Sequence, residues 1–250
     1  MTDAWAELRN TTRARIGLGR AGNALPTRRV LELRAAHSAA RDAVHEPLDV
    51  ETFAAQVAGV GVGAPIVVHS RARDRSEYLR RPDLGRIPTS LDSVSGAGAD
   101  IGVVFADGLS PRALTDHGAT LLAELVEVLG ERYRIATPVI ATEARVALGD
   151  HVGQALGVAT VLVVIGERPG LSVADSLGIY LTHLPVPGRV DADRNCVSNI
   201  HPPDGLGYRD AALVVSALVD GARRLGRSGV ALKDTSRADP LASPSPILEL

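Results

Sequence analysis

The residues Thr160-Val-Leu-Val-Val-Ile165 form the strongest strand signal in this chain of 250 residues. Their apolar side chains follow one another without polar alternation, which is typical of a strand buried on both of its faces. Residues 135–140 and 178–182 predict further strands on either side, and residues 145–156 and 208–225 predict helices. This alternation indicates a sheet with helices packed on both faces.

The same alternation continues toward the N-terminus. Residues 101–105 predict a buried strand, and Ser110 followed by Pro111 predicts the start of a helix that runs to about residue 129. Residues 65–69 predict the first strand. We therefore predict an α/β fold with a doubly wound, mostly parallel sheet.

The opening of the chain predicts helices only. Thr27 is suited to cap a helix over residues 28–44, and a shorter helix is predicted over residues 50–58. We assign residues 1–60 to a small helical N-terminal domain and residues 61–234 to the sheet domain. The boundary between them lies where the helical pattern gives way to the first apolar strand.

Several polar stretches predict irregular structure. An Arg-rich stretch follows the first predicted strand as far as residue 86, and the Gly- and Ser-containing residues 93–100 predict a loop. Residues 235–250 are rich in proline and serine, and we expect them to form a disordered tail.

The composition excludes several classes of protein. A net charge of -2, few aromatic residues and scattered arginines argue against a nucleic-acid surface. Lys233 is the only lysine and follows no glycine-rich turn, so a Walker A loop is excluded. The single cysteine, Cys196, rules out an internal disulfide framework and fits a reducing compartment. Because no apolar run is long enough to span a membrane, we expect a soluble cytoplasmic protein.

A glycine-rich segment, Gly17-Leu-Gly-Arg-Ala-Gly22, matches the dinucleotide fingerprint. That fingerprint binds a nucleotide only between a strand and a helix, with an acidic residue about 20 positions later. Residues 13–16 are a poor strand, and Asp42 lies within a predicted helix. A tight structural or interface turn is therefore favoured over a nucleotide site.

Polar residues follow two of the predicted strands. Gly166-Glu-Arg-Pro-Gly170 comes directly after the strongest strand, where parallel sheets bind ligands. Glu167 is placed to accept hydrogen bonds from ligand amides or hydroxyls, and a surface turn with Glu167 paired to an arginine is an equal alternative. Asp107-Gly-Leu-Ser110 is interpreted as an ordinary strand-to-helix turn with Ser110 as its cap.

A third polar segment, residues 191–201, contains Cys196 and His201. Two potential ligands without a second pair are weak support for a metal site. A Cys196 nucleophile beside His201 is a further alternative, but a structured loop is favoured. The residues alone therefore predict no metal site and no self-contained catalytic set.

Seven segments together resemble the light chain of adenosylcobalamin-dependent ethanolamine ammonia-lyase. One of them reads Ala192-Asp-Arg-Asn-Cys-Val-Ser-Asn-Ile200. They occur in the family's order, and together they make a specific match. The segments are residues 13–22, 41–45, 78–85, 106–110, 166–172, 192–200 and 228–233.

This resemblance implies a helical N-terminal domain, a Rossmann-like second domain and a complex with a heavy chain. The barrel of the heavy chain binds ethanolamine, and adenosylcobalamin radical chemistry converts it to acetaldehyde and ammonia. The substrate-handling residues then belong to the heavy chain, which accounts for the lack of a catalytic set here. Some relatives carry an N-terminal extension linked to packaging in bacterial microcompartments, and the resemblance leaves packaging of this protein open.

The resemblance also implies three contacts between this chain and the corrin ring, made by Val146, Glu167 and Cys196. The corrin rim carries primary amides, whose N–H groups suit the Glu167 carboxylate, while Val146 and Cys196 offer compact apolar surface. The Asp-x-His-x-x-Gly signature of base-off cobalamin domains is absent from the sequence. Two alternatives stay open: a stand-alone nucleotide-binding enzyme that uses Gly17–Gly22 and Asp107, and a scaffold that contacts no cofactor.

Overall fold

The computed structural model describes residues 5–12, 14–96 and 98–236. Its centre is a six-stranded sheet with the order β1-β3-β2-β4-β5-β6. The strands are β1 Ile66–His69, β2 Ile101–Ala106, β3 Val139–Thr142, β4 Thr160–Gly166, β5 Leu177–His183 and β6 Asn195–Ile200.

The strand directions confirm a mostly parallel sheet. β1, β2, β3 and β4 pair in parallel, whereas β5 runs antiparallel to both β4 and β6. β1, at the edge of the sheet, buries only Val68, whereas every residue of β2, β3 and β4 is buried. Their unbroken apolar runs therefore have the physical cause expected for strands covered on both faces.

The predicted helices are present with shifts at their ends, and the structure adds two short helices, Ala6–Arg9 and Arg75–Arg80, that the sequence does not predict. The bounds are α1 Ala6–Arg9, α2 Thr27–His45, α3 Val50–Ala58, α4 Arg75–Arg80, α5 Pro111–Ala113, α6 Ala119–Leu129, α7 Leu148–Leu156 and α8 Tyr208–Leu225. A π-helical turn, Leu114–Gly118, joins α5 to α6. None of the helices in the described residues is both long and apolar enough to cross a membrane.

Helices cover the two faces of the sheet and form two cores. On one face, Phe53 of α3 meets Phe105 of β2 edge-to-face with ring centroids 5.2 Å apart, and α6 and α8 complete this core. On the other face α7 approaches so closely that a Cβ atom at Gly149 would lie 2.2 Å from Val163. The lack of a side chain at Gly149 thus permits the contact that sets the position of α7.

The two predicted N-terminal helices, α2 and α3, pack differently. Ala43 is the one buried residue among the nineteen of α2, whereas α3 contributes Phe53 and Val57 to the core beneath the sheet. The division near residue 60 into two domains stays a prediction. Most of the predicted tail, residues 237–250, lies outside the described residues.

Two predicted loops contain regular structure. Within the polar segment 191–201, residues from Asn195 form the edge strand β6, because Val197 and Ile200 point into the core while the polar residues between them face outward. In the Arg-rich stretch after β1, the Asp74 side chain accepts a hydrogen bond from the Glu77 N–H at 2.8 Å and begins α4. Both predictions of irregular structure were wrong at these positions.

The start of β3 and the cap of α5 also differ from the predictions, each for a local reason. β3 begins at Val139 rather than at Ile135, because Pro138 has no N–H to donate to a neighbouring strand. Ser110 occupies the cap position before Pro111 but makes no cap hydrogen bond. Its hydroxyl donates instead to the Ala174 carbonyl at 2.7 Å.

Candidate functional site

A surface cleft of about 400 Å³ lies between the chain that leaves β3 and the chain that joins β5 to β6. We call it the arginine cleft. Its walls are formed by Arg86, Arg145, Val146, Ala147, Tyr180, Arg189, Val190, Asp191 and Arg194. Of the three predicted cofactor contacts, Val146 is part of this wall. It lies just beyond the carboxyl end of a parallel strand, where α/β sheets bind ligands.

Tyr180 connects the arginine cleft to the other two predicted positions. It stands directly opposite Cys196 in the register of β5 and β6, and its ring packs on the same core as Val146. Burial raises the pKa of Tyr180 to about 12, with further contributions from Cys196 and Glu167. Tyr180 is therefore a protonated hydroxyl at neutral pH, close to both residues.

Cys196 is an exposed residue on the outer strand. Loss of hydration around its sulfur raises the pKa of the thiol, and Glu167 acts in the same direction while a hydrogen bond with Tyr180 opposes it. A raised pKa keeps the thiol protonated and makes it a poor nucleophile. His201 lies five residues farther along the chain, roughly 16 Å in a strand, and its ring contacts Asn199 at 2.9 Å. The geometry therefore disfavours a Cys–His nucleophile pair.

Glu167 is held in place by polar contacts from two neighbouring segments. The Ser176 hydroxyl donates to its Oε2 at 2.7 Å, and the Asn199 N–H donates at 3.3 Å. Gly178 leaves room for it, because a Cβ atom there would lie 2.9 Å from Oε1. Glu167 makes no ion pair with an arginine among the described residues, so the alternative in which it pairs with an arginine is not observed. A carboxylate has about four acceptor positions, so Glu167 retains capacity for a ligand donor.

The predicted positions thus share one neighbourhood. Val146 and Tyr180 line one cleft, and Cys196 faces Tyr180 across a strand pair. Glu167 lies beside Gly178, two residues before Tyr180, and accepts from the N–H of Asn199, three residues after Cys196. Sequence reasoning missed Tyr180. Its signal was a single polar-tipped aromatic within the apolar strand Leu177–His183.

Arg194 forms the floor of the arginine cleft and was also missed. Its guanidinium donates to both carboxylate oxygens of Asp150, at 2.6 and 2.7 Å, and both side chains are 1% exposed. A further bond reaches the Thr182 hydroxyl at 2.8 Å. This bidentate pair joins the first turn of α7 to β5 and to the start of β6.

Hydrogen bonds of the Asn195 side chain hold the segment after α8 against the beginning of β6. Its side-chain oxygen accepts from the Gly229 N–H at 2.7 Å, and its amide donates to the carbonyls of Gly229 and Leu232 at 3.2 Å. The Ser228 hydroxyl adds a 2.5 Å bond to the Asp193 carbonyl. At the other end of β6, the Leu206 N–H bonds the Asn199 carbonyl at 2.8 Å. Chain segments therefore lie beside both ends of this edge strand.

The crevice between β2 and β3 is filled by protein side chains. The connections after these strands lead to helices on opposite faces, a position where related sheets bind nucleotides. Here Asp107 is fully buried and accepts from the N–H groups of Glu143 and Ala144, each at 2.8 Å. Arg75 lies 3.4 Å from the same carboxylate, and the buried ring of Tyr78 packs beside it. Asp107 is therefore a structural group rather than a nucleotide ligand.

The glycine-rich segment also lacks the setting of a dinucleotide fingerprint. Gly17, Gly19 and Gly22 all have positive φ angles, but the segment follows the short helix α1 rather than a strand. The interpretation as a structural turn is supported. Nor does any group of three or more potential metal ligands occur within the part of the chain that the structure describes.

Comparison with known proteins gives a consistent result. Residues 2–233 match the family model described as Ethanolamine ammonia-lyase light chain (EutC). A protein of Rhodococcus erythropolis named ethanolamine ammonia-lyase small subunit is 69% identical over 96% of this chain and 94% of its own length. Proteins of the same name from Ralstonia nicotianae and Rhodopseudomonas palustris are each 46% identical, over 93% and 92% of this chain and 88% and 90% of their own lengths.

Proposed function

This chain belongs to the ethanolamine ammonia-lyase light-chain family, and from that premise we propose that it holds one side of adenosylcobalamin against a heavy chain. It is the small subunit of a lyase. In the proposal Val146, Glu167 and Cys196 contact the corrin ring. The observation that carries this proposal is that all three residues lie near Tyr180, although they are far apart along the chain.

The chemistry of the residues fits a corrinoid. The macrocycle is apolar and its rim carries neutral amides, so it requires compact apolar surface beside hydrogen-bonding groups. Val146 and Ala147 supply apolar surface at the mouth of the arginine cleft, and Glu167 supplies an acceptor. The Nε atom of Arg189 is buried and has no hydrogen-bond partner among the described residues, which leaves a donor for a ligand. When bound, adenosylcobalamin supplies the radical chemistry of the lyase.

Each residue of this chain then has a positioning role. Glu167, fixed by Ser176 and by the Asn199 N–H, accepts a hydrogen bond from a rim amide and so orients the ring. Cys196 remains a neutral thiol because its pKa is raised, and it packs against the ring as a small apolar group. Val146 covers the adjoining part of the macrocycle. Their common effect is to exclude water from one side of the cofactor.

The heavy chain completes the proposal. A small subunit implies a large one, and we assign to the heavy chain the binding of ethanolamine and the residues that handle it. We assign no complete active site to this chain. A cytoplasmic location and packaging in a microcompartment stay predictions.

This division of labour predicts that the isolated chain is inactive. We expect no acetaldehyde release from ethanolamine and adenosylcobalamin with this chain alone, little with the heavy chain alone, and full turnover when the two are combined. The measurement is acetaldehyde formation by each purified chain and by their mixture. Appreciable turnover by this chain alone would contradict the proposal.

Glu167→Ala is expected to raise the Kd of the assembled complex for cobalamin about tenfold. This corresponds to roughly 1–2 kcal/mol for one hydrogen bond to a charged acceptor. Glu167→Gln, which keeps an acceptor oxygen, should lose less, and Arg168→Ala in the same exposed turn is the matched control. Equilibrium dialysis with cyanocobalamin measures the change. An unaltered Kd for Glu167→Ala in a correctly assembled complex would remove Glu167 from the site.

A further inference from the structure

The arginine cleft holds more positive charge than its own carboxylates balance. Four arginines line it, together with one carboxylate, Asp191. Arg194 is neutralised by Asp150 beneath the surface. Arg86 and Arg145 make no ion pair with any described residue, although Arg145 lies over the Tyr78 ring at 5.4 Å. The cleft therefore presents uncompensated guanidinium groups beside the proposed corrin contacts.

Arg189 adds a hydrogen-bond donor that forms part of the wall of the arginine cleft. One of its terminal nitrogens donates to the Leu184 carbonyl at 3.2 Å, which fixes the side chain. Its Nε atom is buried and has no partner among the described residues. A buried donor without an acceptor is costly, so such a group favours a site that a ligand completes.

The chemistry of cobalamin indicates which of its parts suits this charge. The side-chain amides of the corrin are neutral, and the corrin with its bound cobalt carries positive charge. The phosphodiester of the nucleotide loop is the one anionic group. Guanidinium groups bind phosphate oxygens with charge-assisted hydrogen bonds. Among the parts of cobalamin, the phosphodiester is therefore the group that the positive charge of the cleft favours.

We propose that the arginine cleft binds the phosphodiester of the cobalamin nucleotide loop through Arg86, Arg145 and Arg189. This inference rests on the proposed function, since it places the nucleotide loop next to the proposed corrin contact at Val146. It assigns to the small subunit the recognition of the nucleotide portion as well as the ring. Asp191 is 91% exposed, and among the described residues its ion pair is with Arg194 at 3.8 Å, so it does not neutralise Arg86, Arg145 or Arg189.

The test compares two corrinoids that differ only by a phosphate. Dicyanocobinamide lacks the nucleotide loop, and dicyanocobinamide phosphate retains its phosphate group. We expect the assembled wild-type complex to bind the phosphate form about tenfold more tightly in equilibrium dialysis. Arg145→Gln and Arg189→Gln should each reduce this preference to about threefold or less. The preference should also weaken as sodium chloride is added, because salt screens exposed charges.

Arg168→Gln provides the matched control, since Arg168 is exposed and lies outside the cleft. It should leave the preference at the wild-type value. A wild-type complex without preference, or cleft variants that keep the full preference, would overturn the inference. Cleft variants that weaken assembly with the heavy chain while the preference persists would also overturn it, and would assign the arginines to carboxylates of that partner.

The same measurements separate this inference from the proposed function. If Glu167→Ala weakens the binding of both corrinoids equally while the cleft variants keep the phosphate preference, the phosphodiester assignment alone fails. If neither Glu167→Ala nor any cleft variant changes the binding of either corrinoid, the proposed corrin contacts fail as well.

Discussion

Arg194→Ala is expected to lower the free energy of unfolding by about 3–5 kcal/mol, because it leaves Asp150 as a buried charge without a partner. The two side chains are each 1% exposed and share two short hydrogen bonds. Arg194 also bonds Thr182 and the Arg189 carbonyl, so the substitution removes contacts from three segments around the arginine cleft. The loss is therefore far larger than for an ion pair at the surface.

Urea unfolding followed by circular dichroism measures this effect. Arg209→Ala is the control, since it breaks exposed ion pairs with Glu124 and Glu127 and should cost less than about 1 kcal/mol. The double variant Asp150→Leu/Arg194→Met should recover much of the stability, because apolar side chains can replace a buried pair with little net cost. A single Arg194→Ala variant as stable as Arg209→Ala would contradict the structural role assigned to this pair.

Arg75→Met is expected to destabilise the protein by about 3–5 kcal/mol at pH 8 and by less at pH 6. Among the described residues, Arg75 is the one cation against the fully buried Asp107 carboxylate, and it also donates to the carbonyls of Val44 and Gly108, each at 2.8 Å. Burial raises the pKa of Asp107 from the ordinary 3.8 to about 7, despite the opposing effect of Arg75. Removal of Arg75 should raise this pKa further.

The sign of the pH dependence follows from which state, folded or unfolded, binds the Asp107 proton more tightly. The folded state binds the Asp107 proton more strongly than the unfolded chain, so this group's stabilising contribution is full below about pH 4 and declines as the pH rises to about 7. In Arg75→Met the decline should continue above pH 7, because the folded pKa is higher still. The difference between the two proteins therefore widens with pH.

Urea unfolding at pH 6 and at pH 8 compares the two proteins directly. Asp107→Asn is the control for ionisation. The difference in stability between Asp107→Asn and the double variant Asp107→Asn/Arg75→Met should not widen with pH, since neither protein has a carboxylate at this position to ionise. Equal losses for Arg75→Met at both pH values would show that the proton on Asp107 does not set this dependence.

The sequence predicts the buried part of the fold well for a physical reason. Strands covered on both faces, such as Thr160–Gly166, must be apolar throughout, and the long helix Tyr208–Leu225 needs an apolar stripe, so both patterns survive in the residue order. The edge strand Asn195–Ile200 was missed because only Val197 and Ile200 face the core. Short helix α4 was missed because its signal is a single cap, Asp74 with Glu77.

The candidate site is less accessible from the residues alone. Glu167 could be singled out by its position after a strand, but a surface turn was an equal interpretation, because its partners Ser176 and Asn199 lie on other segments of the chain. Val146 and Cys196 came from the family resemblance only. The pair Asp150–Arg194 spans 44 residues, and no local pattern of residue types encodes such a contact. Tertiary packing, rather than local preference, brings these groups together.

The hydrogen bonds that Ser228 and Gly229 make with the start of β6, at Asp193 and Asn195, have a consequence for the self-association of the protein. An uncovered outer strand exposes a row of unpaired amides that can recruit a strand from another molecule and seed aggregates. Here the segment after α8 shields one end of that strand, and the turn at Leu206 shields the other. A protein shortened before Ser228 would lose this cover at one end of β6 together with Leu232 of the core, so we expect it to self-associate more readily.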